Sequence, residues 1–227
     1  MNSSLEFLNM IKNHSEKTGF NASNVKRKND EKLLPEEIEI TNSKSLIAVI
    51  DTETNWNDQV MSLGVAIADS GTYKLIDKRY YVFEPECYVG GIYSNVVYYG
   101  GVKGSKVTRA EALKDLKGFL EDRGIERIFA YNAKFDYNHL PELQSFEWYD
   151  IMRIAAYRQF NSSIPPELPC CKTGRLKTGY GVEPIMHYLT GDKKYREIHN
   201  AVYDAVDELK IIELLGHPVE TYECGLI

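Results

Sequence analysis

Long apolar runs are missing from this 227-residue sequence. No stretch approaches the roughly 18 residues that a membrane-spanning helix requires, and the N-terminus lacks the basic-then-apolar pattern of a signal peptide. Cysteine is scarce: there are four, two of them adjacent, without the C-x-x-C spacing of zinc modules. These absences exclude membrane-spanning and disulfide-rich classes, and we expect a reduced, cytoplasmic protein with no membrane partner.

An excess of positive charge is also missing. Lys and Arg number 27 against 33 Asp and Glu, which gives a formal charge of −6. Nucleic-acid binding normally recruits Lys and Arg, so this balance at first argues against such a partner. Acids concentrated in a metal site reverse their local sign when cations bind, so their positions are more informative than their sum.

The composition that is present, 43% hydrophobic and 26% charged, suits a folded domain. Residues 1–20 combine a Ser3–Glu6 capping-box pattern with a helical apolar stripe, which predicts an amphipathic helix. Residues 21–34 are polar and unpatterned, as in a linker. We therefore predict an appendage over residues 1–34 and one domain over residues 35–227.

Strand and helix patterns alternate through that domain. Strands are predicted at residues 45–51, 60–68, 74–83, 127–131 and 147–150. Helices are predicted at 108–121 behind a Thr108–Glu111 capping box, from an Asn132 cap to 143, from 151, at 181–189 and at 199–215. This order predicts an α/β fold with a mixed central β-sheet, partly antiparallel and flanked by helices on both faces.

Three acidic features could carry chemistry. Asp51 and Glu53 project from one face of the first strand, about 6.6 Å apart along the chain, and offer the oxygen ligands that Mg²⁺ prefers. Asp136 falls in a first helical turn, where the helix dipole stabilises a carboxylate. Alone, the Asp51–Glu53 pair is equally typical of a solvated strand end, and Asp136 alone is more typical of an ordinary charge at a helix N-terminus.

His199 and Asp204 form the third feature. Residues five apart on a helix are about 140° apart around the axis, so they share a site only if His199 lies at the helix entry or before it. A histidine in that position is, on its own, more often a surface residue or a cap.

Taken in order, these features resemble the three exonuclease motifs of the DEDDh nucleases, the DnaQ-like branch of the RNase H-like superfamily. The matching strings are V-I-D-T-E-T (49–54) with S-L-G-V-A (62–66), Y-N-A-K-F-D (131–136) and H-N-A-V-Y-D-A (199–205). The resemblance runs from about Leu46 to Leu215. It implies an RNase H-like exonuclease fold and a 3′→5′ exonuclease that releases nucleoside 5′-monophosphates from the 3′ end of DNA.

The resemblance also implies roles for residues. The carboxylates of Asp51, Glu53, Asp136 and Asp204 would hold two divalent cations, Mg²⁺ or Mn²⁺, and His199 would act as the general base. One departure is Asn55-Trp56, where the family often has Thr-Gly.

A second ambiguity concerns the branch of the superfamily. Tyr203-x-x-x-Asp207 also fits the tyrosine branch, but the surrounding H-N-A…D-A is the better match, so we prefer His199 with Asp204.

Further residues are candidates for substrate binding: Thr54, Trp56, Asn132, Phe135, Arg175 and Lys177. The last two belong to residues 172–196, where six cations face two acids; this stretch is either a phosphate track or a solvated loop. Tyr93, Tyr98, Tyr99 and Trp56 could stack on bases or belong to the core.

The expected partner is single-stranded nucleic acid or a 3′ end, DNA rather than RNA, with a DNA polymerase or another replication or repair protein as a further candidate. Two alternatives stay open. One is an RNA or short-oligonucleotide exonuclease on the same scaffold; the other is a catalytically silent nucleic-acid-binding module. The complete set of acids argues against the silent module.

Overall fold

A computed structural model describes residues 45–227. The predicted helix at residues 1–20, the linker and the domain boundary near residue 35 lie outside the described residues. Among residues 45–227, no helix combines the length and apolar character needed to cross a membrane.

A six-stranded mixed sheet is the centre of the described domain. Its strands are β1 (Leu46–Thr54), β2 (Val60–Asp69), β3 (Leu75–Phe83), β4 (Ser105–Val107), β5 (Arg127–Ala130) and β6 (Glu147–Asp150). Their order is β4-β3-β2-β1-β5-β6. The pairs β1–β2 and β2–β3 are antiparallel, whereas β3–β4, β1–β5 and β5–β6 are parallel.

Helices connect and cover these strands. The α-helices of the described region are α1 (Arg109–Glu121), α2 (Lys134–His139), α3 (Met152–Ala155), α4 (Val182–Thr190) and α5 (Ala201–Leu215). Short 3₁₀ segments lie at Glu86–Tyr88, Ser94–Val96, Tyr99–Gly101, Pro141–Leu143 and Val219–Gly225. The Thr108–Glu111 capping box predicted for α1 is confirmed.

Side-chain alternation along β1 explains why helices cover both faces of the sheet. Ile47 and Val49 pack in one apolar cluster with residues of α4 and α5. Ala48 and Ile50 belong to a second cluster, which includes Leu116 of α1. Because successive strand residues point to opposite faces, a continuous apolar run requires two covers. The predicted α/β fold with a mixed central sheet is confirmed.

The prediction of a helix from Asn132 to residue 143 is wrong in two respects. Asn132 has a φ of 59° and does not cap α2, whose N-cap is Ala133 without a side-chain cap bond. The helix ends at His139, because Pro141 lacks an N–H and disfavours the helical conformation at Leu140, whose φ and ψ are −125° and 60°. The strand before it ends at Ala130 rather than at residue 131.

Gly64 brings the start of α5 onto the sheet. It lies opposite Asp51 in the β1–β2 register. A Cβ atom at this position would be 2.0 Å from the carbonyl oxygen of Ala201, the first residue of α5. The S-L-G-V-A string therefore needs glycine so that the backbones can touch, and this contact brings the first turn of α5 beside the end of β1.

Candidate active site

The end of β1, the start of α2 and the start of α5 surround a cleft of about 290 Å³. Its lining includes all five residues to which the sequence motifs assign chemistry. These residues are Asp51, Glu53, Asp136, His199 and Asp204.

The carboxylates of this cleft lack enough hydrogen-bond donors. One oxygen each of Asp51 and Asp204 is buried without a hydrogen-bond partner among the described residues. Asp136 does have a side-chain donor, because the Thr52 hydroxyl donates to its Oδ1 at 2.7 Å. Glu53, His199 and Asp204 each offer a ligand atom, and those atoms lie within 4.8 Å of one another. Buried carboxylate oxygens without donors, next to a group of ligand atoms at such spacing, fit a divalent cation.

The raised pKa values of the acids in the cleft also indicate that the site lacks positive charge. Burial, followed by the charges of Asp204, Glu197 and Asp136, raises the pKa of Glu53 to about 9. Burial also raises the pKa of Asp204 to about 8 and, against the Thr52 hydrogen bond, that of Asp136 to about 7.

Asp51 is affected in the same direction by this environment. Its pKa lies well above its usual value, first because of burial and then because of the charge of Glu208. Bound cations would reverse this penalty, because they favour the ionised form of every ligand.

His199 lies two residues before α5, with a φ of 59°. The next residue, Asn200, is buried and donates from Nδ2 to the carbonyls of Val96 (2.7 Å) and Val97 (3.1 Å). The His199 imidazole stacks on the Tyr93 ring, with centroids 4.0 Å apart. Burial lowers the pKa of His199, so the imidazole is neutral at neutral pH and able to accept a proton.

Tyr203 and Asp207, the pair that fits the tyrosine branch, do not line the cleft. The Tyr203 ring packs edge-on against Tyr99, with centroids 6.0 Å apart, and is not part of the lining. Asp207 instead accepts a 2.6 Å hydrogen bond from the hydroxyl of Tyr195. The geometry thus brings His199, and not Tyr203, beside the acids.

Four of the six predicted substrate residues also line the cleft: Thr54, Trp56, Asn132 and Phe135. Arg175 and Lys177 do not belong to the lining. The Arg175 guanidinium instead lies 5.3 Å from the centre of the Tyr180 ring.

The Asn55-Trp56 departure builds a different turn. The Asn55 side chain accepts the backbone N–H groups of Asn57 and Gln59 at 2.9 and 3.1 Å and donates to the carbonyl of Glu86 at 3.0 Å. Trp56 is left 67% exposed at the mouth of the cleft. A rigid turn with an exposed indole therefore stands where the family often has Thr-Gly.

Sequence reasoning missed several residues of the site. Glu197 and Tyr131 line the cleft, and Tyr93 was considered only for base stacking. Glu208 is buried, and its charge helps to raise the pKa of Asp51 in the cleft. Its position four residues after Asp204 is a signal that could have identified it, because residues four apart share a helix face. Glu197 and Tyr93 lie in irregular segments, which have no periodicity to read.

No protein-family model and no curated protein matches the sequence. The fold, in contrast, matches solved structures. The nuclease domain of 3′hExo, a DEDDh family member, bound to rAMP, is 13% identical with a TM-score of 0.55, over 82% of this chain and 96% of that chain. A 3′-exonuclease solved in 3′-end-specific recognition of histone mRNA stem-loop is 11% identical with a TM-score of 0.55, over 93% and 71%.

A structure solved in complex with DNA also has a similar fold. E. coli Exonuclease I in complex with a dT13 oligonucleotide is 14% identical with a TM-score of 0.52, over 78% of this chain and 42% of that chain. At such identities the likeness establishes the fold: the chain has the fold of 3′-exonucleases, a DEDDh family member among them.

Proposed function

We propose that this protein is a metal-dependent 3′→5′ exonuclease of the DEDDh type, which removes nucleoside 5′-monophosphates from the 3′ end of DNA. One observation carries the proposal. The five residues of the three sequence motifs, far apart along the chain, line one cleft within the fold of 3′-exonucleases. Fold alone would not suffice, because function depends on the site that a fold carries.

The carboxylates would hold the cations. Asp51, Glu53, Asp136 and Asp204 offer hard oxygen ligands, and unsatisfied oxygens of two of them support this role. Bound as a pair, Mg²⁺ or Mn²⁺ would polarise the scissile phosphate, lower the pKa of a water and stabilise the leaving oxygen.

The protein's own base would be His199. Its imidazole, neutral because burial lowers its pKa, accepts the proton of the attacking water. As the water oxygen bonds to phosphorus, the P–O3′ bond breaks. The 3′ oxygen stays on the shortened strand and takes up a proton from solvent, and the phosphate leaves on the released nucleotide. The Tyr93 ring holds the imidazole plane, and the Thr52 hydroxyl holds Asp136.

The terminal nucleotide would be held by residues at the mouth of the cleft. Trp56 and Phe135 are 67% and 39% exposed and can stack on a base or sugar. Asn132 and Thr54 offer polar groups beside them. We assign Arg175 and Lys177 no contact with this nucleotide, because they lie outside the cleft lining.

RNA is the second candidate substrate. The fold neighbours include one solved with an RNA stem-loop and one with DNA, so the fold is compatible with either. DNA stays our preference from the sequence. A polymerase or repair partner and a cytoplasmic location also stay predictions from the sequence alone.

The decisive experiment uses 5′-labelled DNA and RNA oligonucleotides of matched sequence, each with a free or a phosphate-blocked 3′ end. We expect a ladder shortened one nucleotide at a time, only with a free 3′ end and only with Mg²⁺ or Mn²⁺, and faster on DNA. Asp51→Asn should abolish it, whereas Asp122→Asn, an exposed acid at the end of α1, should not. Equal cleavage of blocked ends, or no cleavage with either metal, would contradict the proposal.

A further inference from the structure

Residues 87–110 differ in charge from the rest of the chain. They contain no Asp or Glu, although the chain as a whole has 33 in 227 residues. They do contain Lys103, Lys106 and Arg109, together with four tyrosine residues. None of the motifs used so far explains this composition.

The acid-free segment is attached to the first turn of α5. The Asn200 side chain donates to the carbonyls of Val96 and Val97, and the Tyr80 hydroxyl donates to the Val97 carbonyl at 2.8 Å. Within the same segment, Tyr93 stacks on His199. The segment therefore reaches the cleft at Tyr93, beside the general base.

The outer surface of the segment is a continuous arrangement of rings and ammonium groups. Tyr98 and Tyr99 are 47% and 49% exposed. The Lys106 ammonium lies 5.2 Å from the centre of the Tyr98 ring. Tyr99 packs against Tyr203, over which the Lys78 ammonium lies at 5.9 Å. We call Lys78, Tyr98, Tyr99, Lys103 and Lys106 the Tyr–Lys face.

Two lysines of this face have no acidic partner among the described residues. Lys78 and Lys103 line a small cavity of about 250 Å³ and form no ion pair within residues 45–227. Asp115, the acid in that cavity, is already paired with Arg79 at 2.7 Å. Lys106 contacts Glu84 only at 3.8 Å. Within the part of the chain that the structure describes, the face thus carries positive charge that no acid neutralises.

We infer that the Tyr–Lys face binds the single strand upstream of the 3′ end that occupies the cleft. Exposed aromatic rings beside lysines match the chemistry of single-stranded nucleic acid, because its bases stack on aromatic rings and its phosphates attract cations. The face is also linked to the cleft through the chain, because Tyr93 lines the cleft and Tyr98 and Tyr99 follow five and six residues later. The inference rests on the proposed function, since it extends the substrate of the same site.

The test measures binding and not cleavage. Fluorescence anisotropy of labelled oligo(dT) of 4 and 12 nucleotides is recorded in Ca²⁺, with the length of the probe verified afterwards. Lys78→Gln/Lys103→Gln/Lys106→Gln is compared with Lys74→Gln/Lys117→Gln/Lys210→Gln, which removes the same charge from lysines that pair with glutamates elsewhere. Thermal unfolding confirms that both triple variants fold.

We expect the unmodified protein and the control to bind the 12-mer at least tenfold more tightly than the 4-mer. The face variant should lose this gain. Its log–log salt dependence for the 12-mer should be shallower by about 2, since each phosphate contact on a single strand contributes about 0.7. Tyr98→Ala should weaken 12-mer binding about fivefold or more, whereas Tyr98→Phe keeps the ring and should not.

The outcomes separate the two proposals. Equal binding of the 12-mer by the face variant and the control overturns the inference, even if the protein degrades DNA. Equal competition by poly-glutamate and by the 12-mer overturns it as well, because the face would then attract any polyanion. Length-dependent binding without hydrolysis in any metal would contradict the proposed function but would support the inference about the Tyr–Lys face.

Discussion

The backbone N–H of Tyr131 donates a 3.0 Å hydrogen bond to Oε2 of Glu208, which ties the loop after β5 to the inner side of α5. Glu208 is buried, and burial raises its pKa well above the usual value. The loop that it holds leads to Asn132 and then to Asp136. Two walls of the cleft are thus joined by one carboxyl group.

Replacing Glu208 tests this connection. Glu208→Gln keeps an acceptor for the Tyr131 N–H, so the free energy of unfolding should stay close to that of the unmodified protein. Glu208→Leu leaves the part-buried N–H unpaired and should lower the free energy of unfolding by about 1–3 kcal/mol. Urea unfolding measures both variants. If the leucine variant is as stable as the glutamine variant, the bond does not anchor the loop.

Gly64 offers a test of the contact between α5 and the sheet. Gly64→Ala adds a Cβ atom that would lie 2.0 Å from the Ala201 carbonyl oxygen, so α5 must move. We expect a loss of about 3 kcal/mol or more in unfolding free energy, with loss of nuclease activity because Asp204 moves with the helix. Gly118→Ala is the matched control in α1, where a Cβ would meet nothing within 4 Å. It should stabilise by about 0.5–1 kcal/mol, and an equal effect at both sites would contradict the reasoning.

The identity of the base is tested by two substitutions on or near α5. His199→Ala should lower the turnover rate by about 10²–10⁴-fold, because a general base contributes that much, while metal binding survives on the carboxylates. Tyr203→Phe keeps its ring contact and should retain a rate close to the unmodified one. The rate should rise with pH through the lowered pKa of His199, a limb that His199→Ala loses. The reverse pattern would assign the site to Tyr203 and Asp207.

Metal-free protein should lose thermal stability as the pH rises from about 5 to 9. In the folded protein the pKa values of Asp136, Asp204 and Glu53 are raised to about 7, 8 and 9, above their ordinary values of 3.8, 3.8 and 4.5. The folded state therefore holds extra protons, and the stability they provide below pH 4 is lost as each group ionises. Because the groups interact, the loss should be gradual.

Calorimetry with and without Mg²⁺ measures this effect. Millimolar Mg²⁺ should raise the melting temperature most at the alkaline end, since cations replace the protons. Asp51→Asn should flatten the metal-free pH dependence. The lowered pKa of His199 acts in the opposite direction only below about pH 6.5. A melting temperature that rises between pH 7 and 9 without metal would refute the assignment of these raised pKa values.

Local patterns of the sequence predicted much of this site. Strand alternation is a short-range rule, and it anticipated that Asp51 and Glu53 share a face. Helix angles required His199 to lie outside the helix, and α5 indeed begins at Ala201. The capping box of α1 is equally local.

Features that depend on distant contacts could not be predicted in this way. Tyr93 stacks on a residue 106 positions later in the chain, and no spacing rule reaches across that distance. The left-handed conformation of Asn132 follows the docking of its N–H on Asp150 at 3.0 Å. The three-residue strand β4 exists because it pairs with β3, and its own sequence gives no strand signal.

The contact at Gly64 makes the spacing of the acids in the cleft independent of side-chain packing in the core. The backbones of Gly64 and Ala201 touch there. The distance between α5 and β1 therefore does not depend on how the larger side chains of the core pack. Leu209 and Ile212 pack farther along the same helix, in the apolar cluster that it shares with Ile47 and Val49 of the sheet. Substitutions at those two positions can therefore change how firmly the protein is folded while the spacing between Asp51 and Asp204 is preserved.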